Sequence, residues 1–236
     1  MDIDENAKSI NETLIDFWNS AISLSEEERE EEASEKADYR ELAPSRKLFV
    51  AVSELKDSKK VLDYGCGNGW ASIVAAKSGC QDVTAVDLGE NIVETAKFYA
   101  NLYGVGKYLK IQKVPLDYLS NTPSGSFDGF ICSNVLDVIP ISTSQEIIKE
   151  ASRILTKGSK AIIGMNFFIS EEMAKDRNMK LEDRCLFVDN VLRLVSYSDE
   201  EWLEMFAPYF DLERLDHFAW PNEKEEKRRL FVLRRK

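Results

Sequence analysis

The chain has 236 residues, enough for one substantial domain with its own core and short for two. Its 42 acidic and 31 basic residues leave a formal charge of −11, a balance that repels a polyphosphate and argues against a nucleic-acid substrate. Four cysteines, at 66, 80, 132 and 185, show no C-x-x-C spacing and have one histidine to join them, so no metal site is expected and reduced thiols in a cytosol fit best. The start, Met1-Asp2-Ile3-Asp4-Glu5, is acidic where a signal peptide is basic, and no apolar run has the length of a membrane span.

Residues 1–42 read as a helical cover preceding the main domain at 43–236. Leu14, Ile15, Phe17, Trp18, Ile22 and Leu24 form a mostly helical apolar stripe, followed by an acidic run from Glu26 to Glu32. Pro44 through Leu55 should form a helix with Leu48, Phe49, Val52 and Leu55 on one face. Beyond it, strands are expected near 60–64, 82–87, 108–113, 127–132, 159–166, 210–217 and 228–235, and helices near 69–78, 90–103, 144–155 and 199–207. Such alternation predicts an α/β fold, a doubly wound seven-stranded sheet with helices on both faces. The short Pro221-Asn222 connection permits the last two strands to pair antiparallel. The apolar segment from Phe168 to Tyr197 interrupts the alternation and is too hydrophobic for a surface loop, so a lid-like insertion at about 168–197 is expected. The helix after it opens with the capping box Ser198-Asp199-Glu200-Glu201.

The most informative stretch is Val61-Leu62-Asp63-Tyr64-Gly65-Cys66-Gly67-Asn68-Gly69, an apolar strand running into an acid and three alternating glycines. Glycines in this pattern allow positive φ and leave no Cβ between main chain and ligand. The helix opening at Trp70 would turn its free N–H groups to the same space. About twenty residues on, Asp87 ends the next strand, where a doubly wound fold places the carboxylate that holds ribose hydroxyls. A dinucleotide site needs G-x-G-x-x-G, and here Trp70 stands at the third glycine.

The pattern acid-x-G-x-G-x-G from Asp63 to Gly69 resembles the first motif of the class I S-adenosylmethionine-dependent methyltransferases, and Phe127-Asp128-Gly129-Phe130-Ile131-Cys132-Ser133-Asn134-Val135-Leu136 resembles that family's fourth-strand motif. The resemblance implies a Rossmann-like, mostly parallel sheet with an antiparallel final strand, S-adenosyl-L-methionine as cofactor, and methyl transfer to a small-molecule acceptor. Methylation of a protein or RNA, or a non-catalytic cofactor-binding regulatory role, are the alternatives. It further implies that Gly65, Cys66, Gly67, Asn68 and Gly69 take the cofactor's methionine end, Asp63 its amino group directly or through water, and Asp87 its ribose. Leu88 would sit beside the adenine, Asp117 and Tyr118 at the adenine edge within a residue or so, and Ser133 and Asn134 beneath the sulfonium. By the same resemblance, Trp18 and Tyr39 are candidate cover residues over the acceptor.

Two residues are candidate bases. Asp137 stands where the family often has a histidine nearby; it would orient or deprotonate an acceptor if burial raised its pKa, or else cap the next segment. His217, the chain's one imidazole, is a base or a structural residue of its strand. Arg193, in an apolar setting, is either a packed side chain or a clamp for a substrate carboxylate or phosphate.

Overall fold

A computed structural model of the chain describes residues 5–236, with side chains from Ala7 onward. In chain order the helices are α1 (Glu5–Ala21), α2 (Glu26–Ser34), α3 (Arg46–Ser53), α4 (Trp70–Ser78), α5 (Glu90–Leu102), α6 (Tyr118–Asn121), α7 (Ile141–Ile154), α8 (Glu171–Asp176) and α9 (Asp199–Phe206). The main-sheet strands are β1 (Val61–Tyr64), β2 (Val83–Asp87), β3 (Leu109–Lys113), β4 (Phe127–Ser133), β5 (Leu155–Met165), β9 (Phe210–Phe218) and β10 (Arg228–Arg235). They run in the order β3-β2-β1-β4-β5-β10-β9. The first five are parallel, and β10 lies antiparallel to both β5 and β9. The expected seven-stranded, mostly parallel sheet with a reversed final strand is therefore the architecture found.

The period-two pleat sends alternate side chains to two separate cores. Val61 of β1 and Leu230 and Val232 of β10 pack with Val52 of α3 and Ile73 of α4. Their neighbours Leu62, Phe231 and Leu233 face Ile147 and Ile148 of α7 and Trp202 and Phe206 of α9. The Phe206 and Phe231 rings meet edge-on at 5.4 Å, and burying a side chain of that size stabilises the fold by about 1.5–3 kcal/mol. The α9 capping box forms as read, with Glu201 N–H donating to Ser198 Oγ and Ser198 N–H to Glu201 Oε2 at 2.8 Å.

The largest differences from the sequence reading are two element starts and the structure of the insertion. α7 begins at Ile141 rather than 144. β5 begins at Leu155 rather than 159, because an irregularity in register between Phe127 and Gly129 lets the strand pair with β4 on both sides of Gly158. The insertion is more ordered than an apolar lid segment alone implied: after α8 it forms a three-stranded antiparallel sheet, β6 (Leu181–Glu182), β7 (Cys185–Val188) and β8 (Val191–Val195). Its two tight turns have positive φ at Asp183 (46°), Arg184 (68°), Asp189 (51°) and Asn190 (63°), the backbone that right-twisted hairpins require. Asp189-Asn190 was a legible turn signal, while Asp183-Arg184 was not.

Candidate functional site

The carboxyl ends of β1, β2 and β4 surround a cavity of about 290 Å³, roofed by α1. Its floor is the glycine turn. Gly65 and Cys66 donate their N–H groups to Val86 O at 2.9 and 3.0 Å, which folds the turn back over β2. Gly65 has φ +71°, and a Cβ there would lie 2.4 Å from Val135 Cγ2, so only glycine lets the two walls approach. Gly69, at φ 83°, starts α4 without a side-chain cap, which leaves the helix N-terminus short of partners for its first N–H groups.

Asp87 ends β2 with its carboxylate in the cavity wall. Oδ2 accepts from Gly67 N–H at 3.1 Å, and Oδ1 from Leu88 N–H at 2.7 Å and Gly89 N–H at 3.5 Å. Burial pushes its pKa above the usual carboxylate value, opposed by these three donors. Asp63 behaves differently. It is buried behind the lining and accepts from Ser72 Oγ at 2.6 Å, tying β1 to the first turn of α4. Burial, partly offset by Ser72 and reinforced by Asp87, pushes it up to about 7.

Ser133 and Asn134 line the cavity at the end of β4. Asn134 adopts φ 55°, fixed by its N–H on Gly164 O at 2.8 Å, and its Oδ1 is buried without a hydrogen-bond partner. Leu88 lines the cavity too, but Asp117 and Tyr118 do not; Val114 and Leu116, just before them in sequence, are in the lining instead. Asp117 instead begins α6, where its carbonyl accepts from Ser120 Oγ and Asn121 Nδ2. Cys66, Asn68 and Gly69 shape the turn from behind: the Cys66 thiol is buried and Asn68 Oδ1 accepts from Trp70 N–H at 3.3 Å.

Of the candidate cover residues, Trp18 lines the cavity and Tyr39 does not. The Tyr39 ring packs 6.1 Å from Phe49, beneath Arg40 and Lys77, because the turn that carries it belongs to the α3–α4 side of the sheet. Arg193 is also outside the lining: its guanidinium lies 4.3 Å from the centre of the Phe17 ring and 5.6 Å from that of Trp18. No described residue of the insertion touches the cavity. Its Leu192 and Val195 pack instead on Leu14 and Trp18, so it backs α1 rather than covering the site itself.

Neither candidate base faces the cavity. Asp137 is fully buried, accepts Asn166 N–H at 2.6 Å and lies 3.8 Å from Arg229 Nη2, while its carbonyl accepts Val195 N–H at 2.7 Å. Burial raises its pKa against the opposing charge of Arg229. Arg229 is itself 1% exposed, and donates to Asn166 O at 2.7 Å and Tyr197 O at 2.6 Å. Together they fasten the β4–α7 loop to the ends of β5 and the insertion, a bridging role that neither residue's position in sequence announces. His217 sits half-exposed on β9, its Nε2 2.9 Å from Asp199 Oδ2.

The sequence reading missed Asn11, Leu14 and Ile15 of α1, Tyr64, Thr143 and Trp220, all in the lining. It also missed how α1 is held. Gly89 begins α5 without a capping side chain, and Asn19 of α1 supplies one: its Oδ1 accepts Asn91 N–H at 2.8 Å. Asn91 Nδ2 donates back to Asn19 O, and Thr95 Oγ1 donates to Ile22 O at 2.7 Å. A glycine at a helix start with no capping side chain was the available signal.

The residues present fit a nucleoside-bearing sulfonium: a carboxylate for paired hydroxyls at Asp87, apolar walls at Leu88, Leu116 and Val135 for a flat ring, and an unpartnered acceptor at Asn134 Oδ1. Comparison with known proteins points the same way. Residues 61–158 match the family model described as "Methyltransferase domain". The chain is similar to a ubiquinone biosynthesis O-methyltransferase of Xanthomonas axonopodis pv. citri, 33% identical over 122 residues that cover 52% of this chain and 49% of that protein. A protein of the same description from Psychrobacter arcticus is 32% identical over 105 residues, covering 44% of this chain and 40% of the relative. The chain thus matches about half the length of these curated relatives or less. In fold it is similar to an S-adenosylmethionine-dependent methyltransferase structure from Methanosarcina mazei, with TM-score 0.64, 18% identity, and coverage of 76% of this chain and 93% of the other. The segment that matches the methyltransferase-domain model, residues 61–158, contains the strands and the glycine turn that build the cavity.

Proposed function

We propose that the protein binds S-adenosyl-L-methionine in this cavity and transfers its methyl group to a small molecule, with oxygen as the acceptor atom by analogy with the named relatives. The observation that carries the reading is the Asp87 carboxylate, held by three backbone N–H groups beside the Gly65–Gly69 turn. Asp87 binds the ribose hydroxyls, Leu88, Val114 and Leu116 enclose the adenine, and the glycine turn with Asn134 receives the rest of the donor. Asp63 acts through Ser72, by holding the α4 N-terminus against β1.

The donor supplies an already activated methyl group. The protein's part is to orient the acceptor for in-line attack and to exclude water, and positioning of this kind accounts for much of an enzymic rate. Leu14, Ile15 and Trp18 of α1 close the site over the acceptor, and the insertion at 168–197 acts as a buttress for that helix. In this reading 1–42 is the cover and 43–236 the methyltransferase domain. The net charge of −11 favours a small molecule over nucleic acid. Among the described residues no helix is long and apolar enough to cross a membrane, and the four free cysteines suit the cytosol we assign.

Calorimetric titration with S-adenosylmethionine, followed by detection of the demethylated product in a metabolite screen, tests the proposal. Binding with turnover is the expected result, and binding without turnover across a broad screen would favour the regulatory alternative. Absence of binding would refute both.

A further inference from the structure

One residue from far along the chain reaches the cavity: among the described residues of its lining, Trp220 alone comes from beyond α7. The topology explains how. β10 runs antiparallel to β5, with Arg229 opposite Met165, so the β9–β10 turn falls at the carboxyl end of β5, the end at which the cavity lies. Trp220 in that turn is 36% exposed and yet lines the cavity, which puts it at the rim between the interior and solvent.

An indole on a surface turn is free to change rotamer within nanoseconds, but this one is held at its backbone and at its ring. Trp220 N–H donates to Glu223 Oε2 at 3.0 Å, and Glu223 N–H donates to Trp220 O at 2.9 Å. The Arg228 guanidinium lies 3.4 Å from the centre of the indole ring. Arg228 is 6% exposed, its Nε and Nη2 donate to the Glu223 carboxylate at 2.8 and 2.7 Å, and its Nη1 donates to Asn166 Oδ1. A planar guanidinium bonds a carboxylate along its edge while presenting its face to an aromatic ring; an ammonium has no such edge and face. Asn166 also ties the assembly to the β4–α7 loop. Its N–H donates to Asp137 Oδ2 at 2.6 Å, and the next two residues, Val138 and Ile139, line the cavity. One residue just past the end of β5 thus fixes the rim indole relative to the β4–α7 wall.

Space makes that position matter. The cavity measures about 290 Å³, and sites for drug-sized ligands run from about 300 to 1,000 Å³. A nucleoside joined to an amino acid takes most of it, which leaves the rim for the acceptor. Resting on the methyl-transfer reading above, we propose that Trp220 sets the size limit of the acceptor space and that Arg228 is its positioning residue. The indole is a fixed wall, because Arg228 stacks on it while Glu223 and Asn166 hold Arg228 in place. A group too large for the gap must turn the indole out, which uncovers a guanidinium that is otherwise buried.

The test needs no identified acceptor. The probes are sulfonium analogues of the donor in which propyl, benzyl or naphthylmethyl replaces the transferable methyl, groups that extend from sulfur into the acceptor space. Calorimetry on the full chain gives their affinities relative to S-adenosylmethionine. In the unsubstituted protein affinity should fall as the group grows. Trp220→Phe and Trp220→Ala should tighten the benzyl and naphthylmethyl analogues about tenfold or more, the scale of relieving an overpacked contact, with S-adenosylmethionine binding unchanged. Arg228→Lys should relax the limit in the same direction and add nothing in the Trp220→Ala background, since it acts through the indole. Glu223→Gln, which loosens the guanidinium without removing it, should behave as Arg228→Lys does and guards against a misfolded variant. Equal affinity for every size in the unsubstituted protein, or the same limit after Trp220→Ala, would overturn the wall. An Arg228→Lys effect of equal size in both backgrounds would overturn the positioning role. Failure of the unsubstituted protein to bind S-adenosylmethionine removes the methyl-transfer reading and this one with it.

Discussion

Gly65→Ala offers the sharpest probe of the cavity floor. The new Cβ would meet Val135 Cγ2 at 2.4 Å, in a residue whose φ is +71°. The left-handed backbone costs an L-residue about 1–2 kcal/mol, and the overlap adds about 1–3 kcal/mol of the kind seen on overpacking. Val135→Ala alone should cost about 1 kcal/mol, since Val135 is only half-buried. In the double variant the overlap disappears and the backbone strain remains. The two changes should therefore be non-additive, with a favourable coupling of about 1–3 kcal/mol. Urea denaturation of the four proteins without ligand measures this cycle, and calorimetry with S-adenosylmethionine should show Gly65→Ala binding weakly and the double variant partly rescued. Costs that add to within about 0.5 kcal/mol, the scatter of independent sites, would refute the close approach of Gly65 and Val135.

Other perturbations address the remaining parts of the site. Asp87→Ala should weaken donor binding by about 1.5–3 kcal/mol, the range for hydrogen bonds to a charged group; unchanged calorimetric affinity in a folded variant would show that Asp87 only ends its strand. Asp63 is raised to about 7 from 3.8, so the folded state holds this proton more tightly than the unfolded chain. Its contribution to stability is complete below about pH 4 and is lost as pH rises through about 7. Asp63→Asn should flatten that part of the pH–stability curve in urea titrations, and an equally steep curve would mean that Asp63 is ionised throughout. Asn19→Ala removes the cap of α5 and should cost about 0.5–2 kcal/mol, with faster proteolysis near the α1–α2 connection; an unchanged cleavage rate would argue against α1 being held there. Phe187→Ala with Leu192→Ala strips the buttress behind α1 and should lower turnover while sparing donor affinity, provided circular dichroism shows the variant folded.

Much of the architecture was legible because its signals are local. Alternating apolar strands and helices, the acid and three glycines ahead of Trp70, and the Ser198 capping box each act over a few residues, and each is found where the pattern put it. The three-stranded sheet of the insertion was less legible. Its pairing depends on positive φ at Asp183 and Arg184 as well as at Asp189 and Asn190, and only the second pair has the composition of such a turn.

Sequence by itself determined the doubly wound sheet, the glycine turn and the position of Asp87, since pleat period, backbone freedom and strand ends are properties of neighbouring residues. What the long-range packing decided was which polar groups reach the cavity. Asp63 and Asp137, conspicuous as acids, are turned inward to Ser72 and to Asn166 and Arg229, because a buried carboxylate needs donors and these come from residues 9 to 92 positions away. Asn11 and Thr143, inconspicuous in sequence and 132 positions apart, meet at the acceptor wall because α1 is capped onto α5 and backed by β8. Such contacts follow from burial and hydrogen-bond satisfaction across the whole molecule, which no local pattern encodes.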